Sequence, residues 1–258
     1  MQAQAGPEVR FQSVSKSFDD GENHAVDTVD LTIEGGAFVA LVGESGSGKS
    51  TLLKTINRLV EPSAGSVSID GEDVAARDSV ELRRHIGYVF QNIGLFPHMT
   101  VAENIGIIPR LDAGKTGDQV GELLDLVGLP QDFAGRFPNE LSGGQQQRVG
   151  VARALAGKPG LMLMDEPFGA LDPVTRDQLG DAYRELHDRL GLTTIMVTHD
   201  MAEALLLADR ILVMSDGRIV ADGTPEEMLA EEANGEASAL IAVPKRQMAK
   251  LRKLEERS

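Results

Sequence analysis

The sequence has no cysteine and no tryptophan, and only 2 of its 258 residues are tyrosine. Without thiols there is no disulfide framework, no thiolate zinc site and no cysteine nucleophile. No apolar run approaches the roughly 18 residues needed to cross a bilayer. Met1-Gln2-Ala3-Gln4-Ala5-Gly6-Pro7 has neither the basic stretch nor the apolar core of a secretory leader. Positive charge is scarce: 25 Lys and Arg against 40 Asp and Glu give 25 − 40 = −15. A surface so charged repels phosphate backbones, which disfavours nucleic acid as a general partner and leaves only a local patch able to bind it. What is present, 41% hydrophobic and 25% charged residues, is ordinary globular composition for one large domain or two small ones. These features imply a soluble, acidic, intracellular protein.

The patterning predicts an α/β fold. Val9, Phe11 and Val14, then Val26, Val29, Leu31 and Ile33, alternate with polar residues and suggest antiparallel strands. Phe38-Val39-Ala40-Leu41-Val42 is continuously apolar, as a strand buried on both faces must be, and leads through glycine-rich sequence into a helix from Lys49. Leu161–Met164 and Thr193–Val197 repeat the buried-strand pattern, with helical sequence from Pro173 to Leu190 between them, so a mainly parallel sheet with helices on both faces follows. From about Met99 to Ala156 the periodicity is helical (Val120, Leu123, Leu124, Val127) and reads as an insertion. Thr224-Pro225-Glu226-Glu227 is a strong helix start. The expected division is one domain over 1–232 and a short extension over 233–258. Its last residues, Pro244 to Ser258, hold six Lys or Arg and two Glu, a local +4, with Met248, Leu251 and Leu254 at helical spacing. That tail is either a solvated helix or a contact for anionic lipid or a partner.

Gly43-Glu44-Ser45-Gly46-Ser47-Gly48-Lys49-Ser50 fits the phosphate-loop pattern Gly-x-x-x-x-Gly-Lys-Ser between a buried strand and a helix. Glycines let consecutive N–H groups turn inward on anionic oxygens, and the helix, continuing with Thr51, aims its positive end at the same point. Lys49 is expected on the β- and γ-phosphates and Ser50 on Mg²⁺. Asp165 and Glu166 end a buried strand, where α/β sheets bind ligands; Asp165 suits Mg²⁺ and Glu166 suits orienting and deprotonating a water. His199 ends another strand and could face a γ-phosphate, or be an ordinary satisfied polar group. Gln91 follows Ile86–Phe90 with the same two readings, its amide oxygen reaching Mg²⁺ or the water. Ser142 caps a helix that opens with Gly143, Gly144 and Gln145, a second anion site.

Taken in order, the phosphate loop, Gln91, Leu141-Ser142-Gly143-Gly144-Gln145, Asp165–Glu166, Ala170-Leu171-Asp172 and His199 resemble the motifs of the ATP-binding subunits of ABC transporters, over about residues 8 to 230. The resemblance implies a P-loop NTPase fold with a mainly parallel core sheet, an N-terminal antiparallel β subdomain and an inserted α-helical subdomain. It also implies a head-to-tail homodimer, or a heterodimer with a related ATPase, in which the phosphate loop of one chain and Ser142, Gly143, Gly144 and Gln145 of the other enclose each ATP. Asp172 would join that nucleotide site, and Phe18, in Val14-Ser15-Lys16-Ser17-Phe18, would stack on adenine unless it is a plain core residue. Integral-membrane permease subunits and, indirectly, a solute-binding protein are the implied partners, without nucleic acid, and the chain would sit peripherally on the cytoplasmic face of the inner membrane. Thr55–Pro62 and Gly87–Val101 are similar to the importers of quaternary-amine osmoprotectants such as glycine betaine, choline or carnitine; importers of polar amino acids or methionine are the nearest competitors. Many such osmoprotectant ATPases carry a paired regulatory domain after the ATPase. Ser258 leaves no room for one, so regulation through it is not expected.

Overall fold

The computed structural model describes residues 5–19, 23–91, 94–111, 119–169, 171–230 and 242. The extension expected from 233 onward, Ala242 apart, lies outside the described residues, as do Asn92, Ile93 and Ala170. The chain begins with β1 (Val9–Ser17), β2 (His24–Ile33) and β3 (Phe38–Val42), then α1 (Lys49–Ile56), β4 (Ala64–Ile69), β5 (Glu72–Asp73), α2 (Ser79–Arg84) and β6 (Ile86–Val89). Helices α3 (Val101–Ile105), α4 (Ile107–Leu111), α5 (Val120–Leu126) and α6 (Gly143–Leu155) follow. The rest is β7 (Leu161–Asp165), α7 (Pro173–Leu190), β8 (Thr193–Thr198), α8 (Met201–Leu207), β9 (Arg210–Ser215), β10 (Arg218–Gly223) and α9 (Pro225–Ala230).

Two sheets form, in the strand orders β2-β1-β4-β5 and β10-β9-β3-β8-β7-β6. The first is antiparallel, with Val9 opposite both Ile33 and Ile69. In the second, β9, β3, β8, β7 and β6 run parallel, and β10 alone is antiparallel. Between β6 and β7 the described residues form helices and turns only. β4 and β10 were not legible in the sequence, because their apolar positions are interrupted by Ser, Gly, Asp and Arg; β9, whose Ile211–Met214 is an unbroken buried run like that of β7, was passed over although the signal was there.

The strands of the parallel sheet feed two cores in alternation, as the period of two requires. Phe38, Ala40, Val42, Met162, Met164 and Met196 face a cluster completed by Val149 and Ala152 of α6 and Leu179 of α7. Val39, Leu41, Leu161, Leu163, Ile195 and Val197 face the other, closed by Leu52, Leu53 and Ile56 of α1 and by the four-stranded sheet. Burial on both sides is what keeps these strands apolar without a break, at about 1.5–3 kcal/mol for each large aliphatic side chain taken from water.

Parallel register sets the strand ends side by side, with Val42 opposite Thr198, Asp165 opposite Val197 and Val89 opposite Met164. The segments that follow β3, β8, β7 and β6 therefore leave the sheet along one edge. They carry the phosphate loop, His199, Glu166 and Gln91.

Behind the sheet, Tyr183 and His187 stand one turn apart on α7 and both reach Thr194 Oγ1, at 2.8 and 3.0 Å. Phe38 packs against both rings, at 5.8 and 5.2 Å between centroids. Burial pushes the His187 pKa down, and Arg184 pushes the same way against Asp209, Asp188 and the Gly36 backbone. The folded state therefore keeps His187 neutral where the unfolded chain, with a pKa near 6.5, takes a proton. Stability from this site is complete above that value and falls as the pH drops through it, by at most about 1.4 kcal/mol per pH unit. Urea midpoints between pH 7.5 and 5.5 should decline more steeply in the native chain than in His187→Gln; equal slopes would remove His187 from the acid response.

Candidate functional site

The loop from Gly43 leaves β3 and enters α1 through Gly48, which takes φ 102°; a Cβ there would stand 2.0 Å from the Ala25 carbonyl oxygen. Only glycine fits both the left-handed backbone and that approach. Gly46, at φ 86°, has open space where a Cβ would be, and Glu44 and Ser45 are exposed on the same rim. Lys49, 6% exposed, curls back so that Nζ donates to Gly43 O (2.8 Å), Glu44 O (2.6 Å) and Ser47 Oγ (3.1 Å). Burial lowers its pKa, while Glu166 and Asp165 act in the opposite sense. Three acceptors in a fan around one buried ammonium are the arrangement that phosphate oxygens would take over.

Asp165 is 2% exposed and faces α1. Its Oδ1 accepts the Ser50 hydroxyl at 2.6 Å and its Oδ2 pairs with Lys54 Nζ at 3.1 Å. Tyr88, one strand over on the same face, turns its hydroxyl to this carboxylate: burial first, then the Asp165 charge and a hydrogen bond to it, push the phenol pKa up. Lys54 and Tyr88 escaped the sequence reading. The signals were there, since Lys54 follows Ser50 by one helical turn and Tyr88 falls on the α1 side of β6 by strand alternation.

At Glu166 the backbone turns into the left-handed region, φ 49°, a strain of about 1–3 kcal/mol for a residue with a side chain. Its N–H donates to Val197 O at 2.9 Å, holding the turn to β8, and its Oε2 lies 3.4 Å from Nδ1 of His199. The adjacent acids are thus separated, Asp165 toward α1 and Glu166 toward His199. The His199 side chain is 65% exposed. Its neighbours are fixed: Asp200 caps α8 by accepting from Ala202 N and Glu203 N, at 2.9 and 3.4 Å, and pairs with Arg176 at 3.3 Å. Glu203, pushed to a higher pKa by burial, bonds Thr198 from behind.

Ser142 caps α6 in a capping box, its Oγ accepting from Gln145 N (3.3 Å) while Gln145 Oε1 accepts from Ser142 N (2.9 Å). Gly143 has open space at its Cβ position and Gly144 lies against Leu171. Among the described residues, none of these four bonds to the phosphate loop, so the two helix ends of one chain are separate. Asp172 caps α7, accepting from Thr175 N at 3.1 Å, a bond that holds its pKa below the usual carboxylate range. Gln91 is exposed just beyond β6, Thr51 is half-buried in the first turn of α1, and Phe18 is 69% exposed with Lys16 Nζ 4.9 Å from its ring centre. A core role for Phe18 is overturned.

The donors fit Mg²⁺. A hydroxyl and a buried carboxylate, 2.6 Å apart, are hard oxygen ligands. The described residues contain no group of three or more His, Asp or Glu able to hold a metal, so an ion here would complete its shell with water and phosphate, as Mg²⁺ does.

Comparison with known proteins gives a consistent answer. Residues 26–169 match the protein family described as ABC transporter. The glycine betaine/carnitine/choline transport ATP-binding protein OpuCA of Bacillus subtilis is 52% identical over 88% of this chain and 60% of its own length. The glycine betaine uptake system ATP-binding protein YehX of Escherichia coli is 49% identical over 88% of this chain and 74% of its own length. A sulfate/thiosulfate import ATP-binding protein of Chromobacterium violaceum is 50% identical over 81% and 57%. The chain spans 57% to 60% of the length of four of the osmoprotectant relatives it matches. Among solved structures, a dimeric post-hydrolysis state of the ATP-binding cassette MJ0796 with ADP and Pi superposes with TM-score 0.78 at 36% identity, over 84% of this chain and 98% of that one.

Proposed function

Because this chain belongs to the ABC transporter ATP-binding family, we propose that it is the ATP-hydrolysing subunit of an importer for a quaternary-amine osmoprotectant such as glycine betaine, choline or carnitine. The observation that carries the chemistry is the shared strand edge, where a buried lysine, a hydroxyl–carboxylate pair and a strained Glu166 beside His199 converge. On binding, Lys49 exchanges its loop acceptors for β- and γ-phosphate oxygens, and Phe18 offers its exposed face to adenine. Ser50, Asp165 through a water shell, and Gln91 as a further oxygen donor would hold Mg²⁺, which would supply charge neutralisation at the phosphates. Glu166 orients a water and accepts its proton as the water oxygen bonds to the γ-phosphorus and the bond to the ADP oxygen breaks. His199, exposed beside Glu166, contacts the γ-phosphate. Ser142, Gly143, Gly144 and Gln145 act on the nucleotide of a second copy, with Asp172 at the same junction. The dimeric neighbour structure with ADP and Pi supports that reading.

No helix of the described residues is long and apolar enough to cross a membrane, so transport needs separate permease subunits, with a solute-binding protein outside. Asn92–Thr100 is the proposed docking surface, and crosslinks from its described part, Gly94–Thr100, to the permease test it. The names of relatives at 46% to 52% identity support an osmoprotectant as the solute. The test is uptake of labelled glycine betaine, choline, carnitine, histidine, methionine and sulfate in cells carrying the native chain or Lys49→Ala, other carriers being deleted. Loss confined to quaternary amines is expected. Loss of an amino acid or sulfate alone would overturn the solute class and keep the ATPase.

A further inference from the structure

Resting on the reading of Glu166 as the base and His199 as the γ-phosphate contact, we propose that Arg176 is a positioning residue for His199, its guanidinium bridging the segment that leaves Glu166 and the α8 cap that follows the ring.

The bonds form a closed circuit. One segment runs on from Glu166, where Glu166 O accepts from Gly169 N at 3.3 Å and Phe168 O from Leu171 N at 3.1 Å, so two short turns tie Leu171 back to the base. The other runs from β8 through His199 to Asp200, which donates its N–H to Thr198 Oγ1 at 3.0 Å and caps α8 with its carboxylate. At their roots the segments are joined by Glu166 N and Val197 O, 2.9 Å apart. At their far ends Arg176 joins them again, Nη2 donating to Leu171 O at 3.2 Å and Nη1 to Asp200 Oδ2 at 3.3 Å. His199 and Glu166 meet between these two ties, at 3.4 Å.

An imidazole so exposed is not held by packing, and its place beside Glu166 depends on where its backbone is fixed. Helix stability does not ask for Arg176. Its N–H donates to Asp172 O at the end of the first turn of α7, and a cation near that end opposes the helix dipole. Its ion pair with Asp200 is about a third exposed on either side and adds little to folding. What the guanidinium supplies is geometry: a planar fork reaches two acceptors on different segments, which the point charge of a lysine does not match. Rate is the quantity sensitive to such registry, since a misplacement of about 1 Å can cost about 100-fold.

The test measures kcat and KM for ATP hydrolysis, with γ-labelled ATP so that slow turnover is resolved, in the native chain, Arg176→Met, Arg176→Lys, His199→Ala and the double variant of Arg176→Met with His199→Ala. Hydrogen exchange and thermal unfolding of each are followed without nucleotide. Arg176→Met should lower kcat about 10-fold and leave KM within about 2-fold, because the phosphate loop is untouched. Its melting temperature should fall by no more than about 4 °C, while exchange quickens in peptides over 166–172 and 198–203 and not in α1. His199→Ala should cost more turnover, and adding Arg176→Met to it should cost nothing further, since no ring remains to be placed. Arg176→Lys should stay well below native turnover; full recovery would show that charge alone matters and overturn the bridge. Native kcat in Arg176→Met, or unchanged exchange in both segments, would overturn the role outright. The same loss from Arg176→Met with and without His199 would leave Arg176 a structural residue. If His199→Ala hydrolyses ATP like the native chain, the reading of His199 fails instead, and the inference falls with it.

Discussion

Glu166→Gln should bind ATP as the native chain does and hydrolyse it at least about 100-fold more slowly, the range a positioned general base contributes. The amide is isosteric, so the backbone turn at φ 49°, its bond to Val197 O and the proximity of His199 all survive. Only the proton acceptor is lost. With ATP uncleaved, whatever interface the nucleotide completes should persist, and light scattering with Mg-ATP should find a longer-lived dimer than with the native chain. A Glu166→Asp variant separates charge from reach: it keeps a carboxylate but withdraws it by one methylene, and should retain little turnover. Near-native steady-state hydrolysis by purified Glu166→Gln would mean that the proton leaves by another route and that the strained turn serves geometry alone.

Gly48→Ala is the second large effect, and it strikes fold and site together. An alanine at φ 102° bears about 1–2 kcal/mol of backbone strain, and its Cβ, built 2.0 Å from the Ala25 carbonyl, cannot be relieved by rotating a side chain. Either α1 or β2 must shift, for a total cost of about 2–5 kcal/mol. For a domain of this size that is a fall in melting temperature of about 5–15 °C, together with loss of nucleotide binding as Lys49 moves with the helix start. Gly46→Ala is the internal control. It also has a left-handed backbone, φ 86°, but nothing stands within 4 Å of its Cβ, so the loss of stability should stay near the strain alone. Equal shifts for the two would show that the close approach to Ala25 carries no weight.

Much of this was legible in the residues because the chemistry is written in runs. Five apolar residues before Gly43 and four before Asp165 can only be strands buried on both faces, and their ends must carry the ligand groups. The edge elements were not legible: β10 reads Arg-Ile-Val-Ala-Asp-Gly, half exposed and antiparallel, with too few apolar positions to stand out. Within the site, sequence could name Asp165 and Glu166 but could not separate their directions, which depend on a left-handed turn at a residue with no glycine to announce it. Lys54 and Tyr88 had local signals but no common one: each belongs to a different element, and only the packing of α1 on the parallel sheet brings them to one carboxylate.

The three bonds that Lys49 makes to its own loop have a consequence for the working cycle. The free protein already holds a stand-in for the phosphates, built from Gly43 O, Glu44 O and Ser47 Oγ. On the proposed function, the ammonium would return to these acceptors when ADP and phosphate leave, and no buried cation would be stranded. Nucleotide capture is then an exchange of partners, with a net gain far below the strength of a bare lysine–phosphate contact. On that proposal such a site would empty readily, which an ATPase releasing product at every stroke needs more than tight binding.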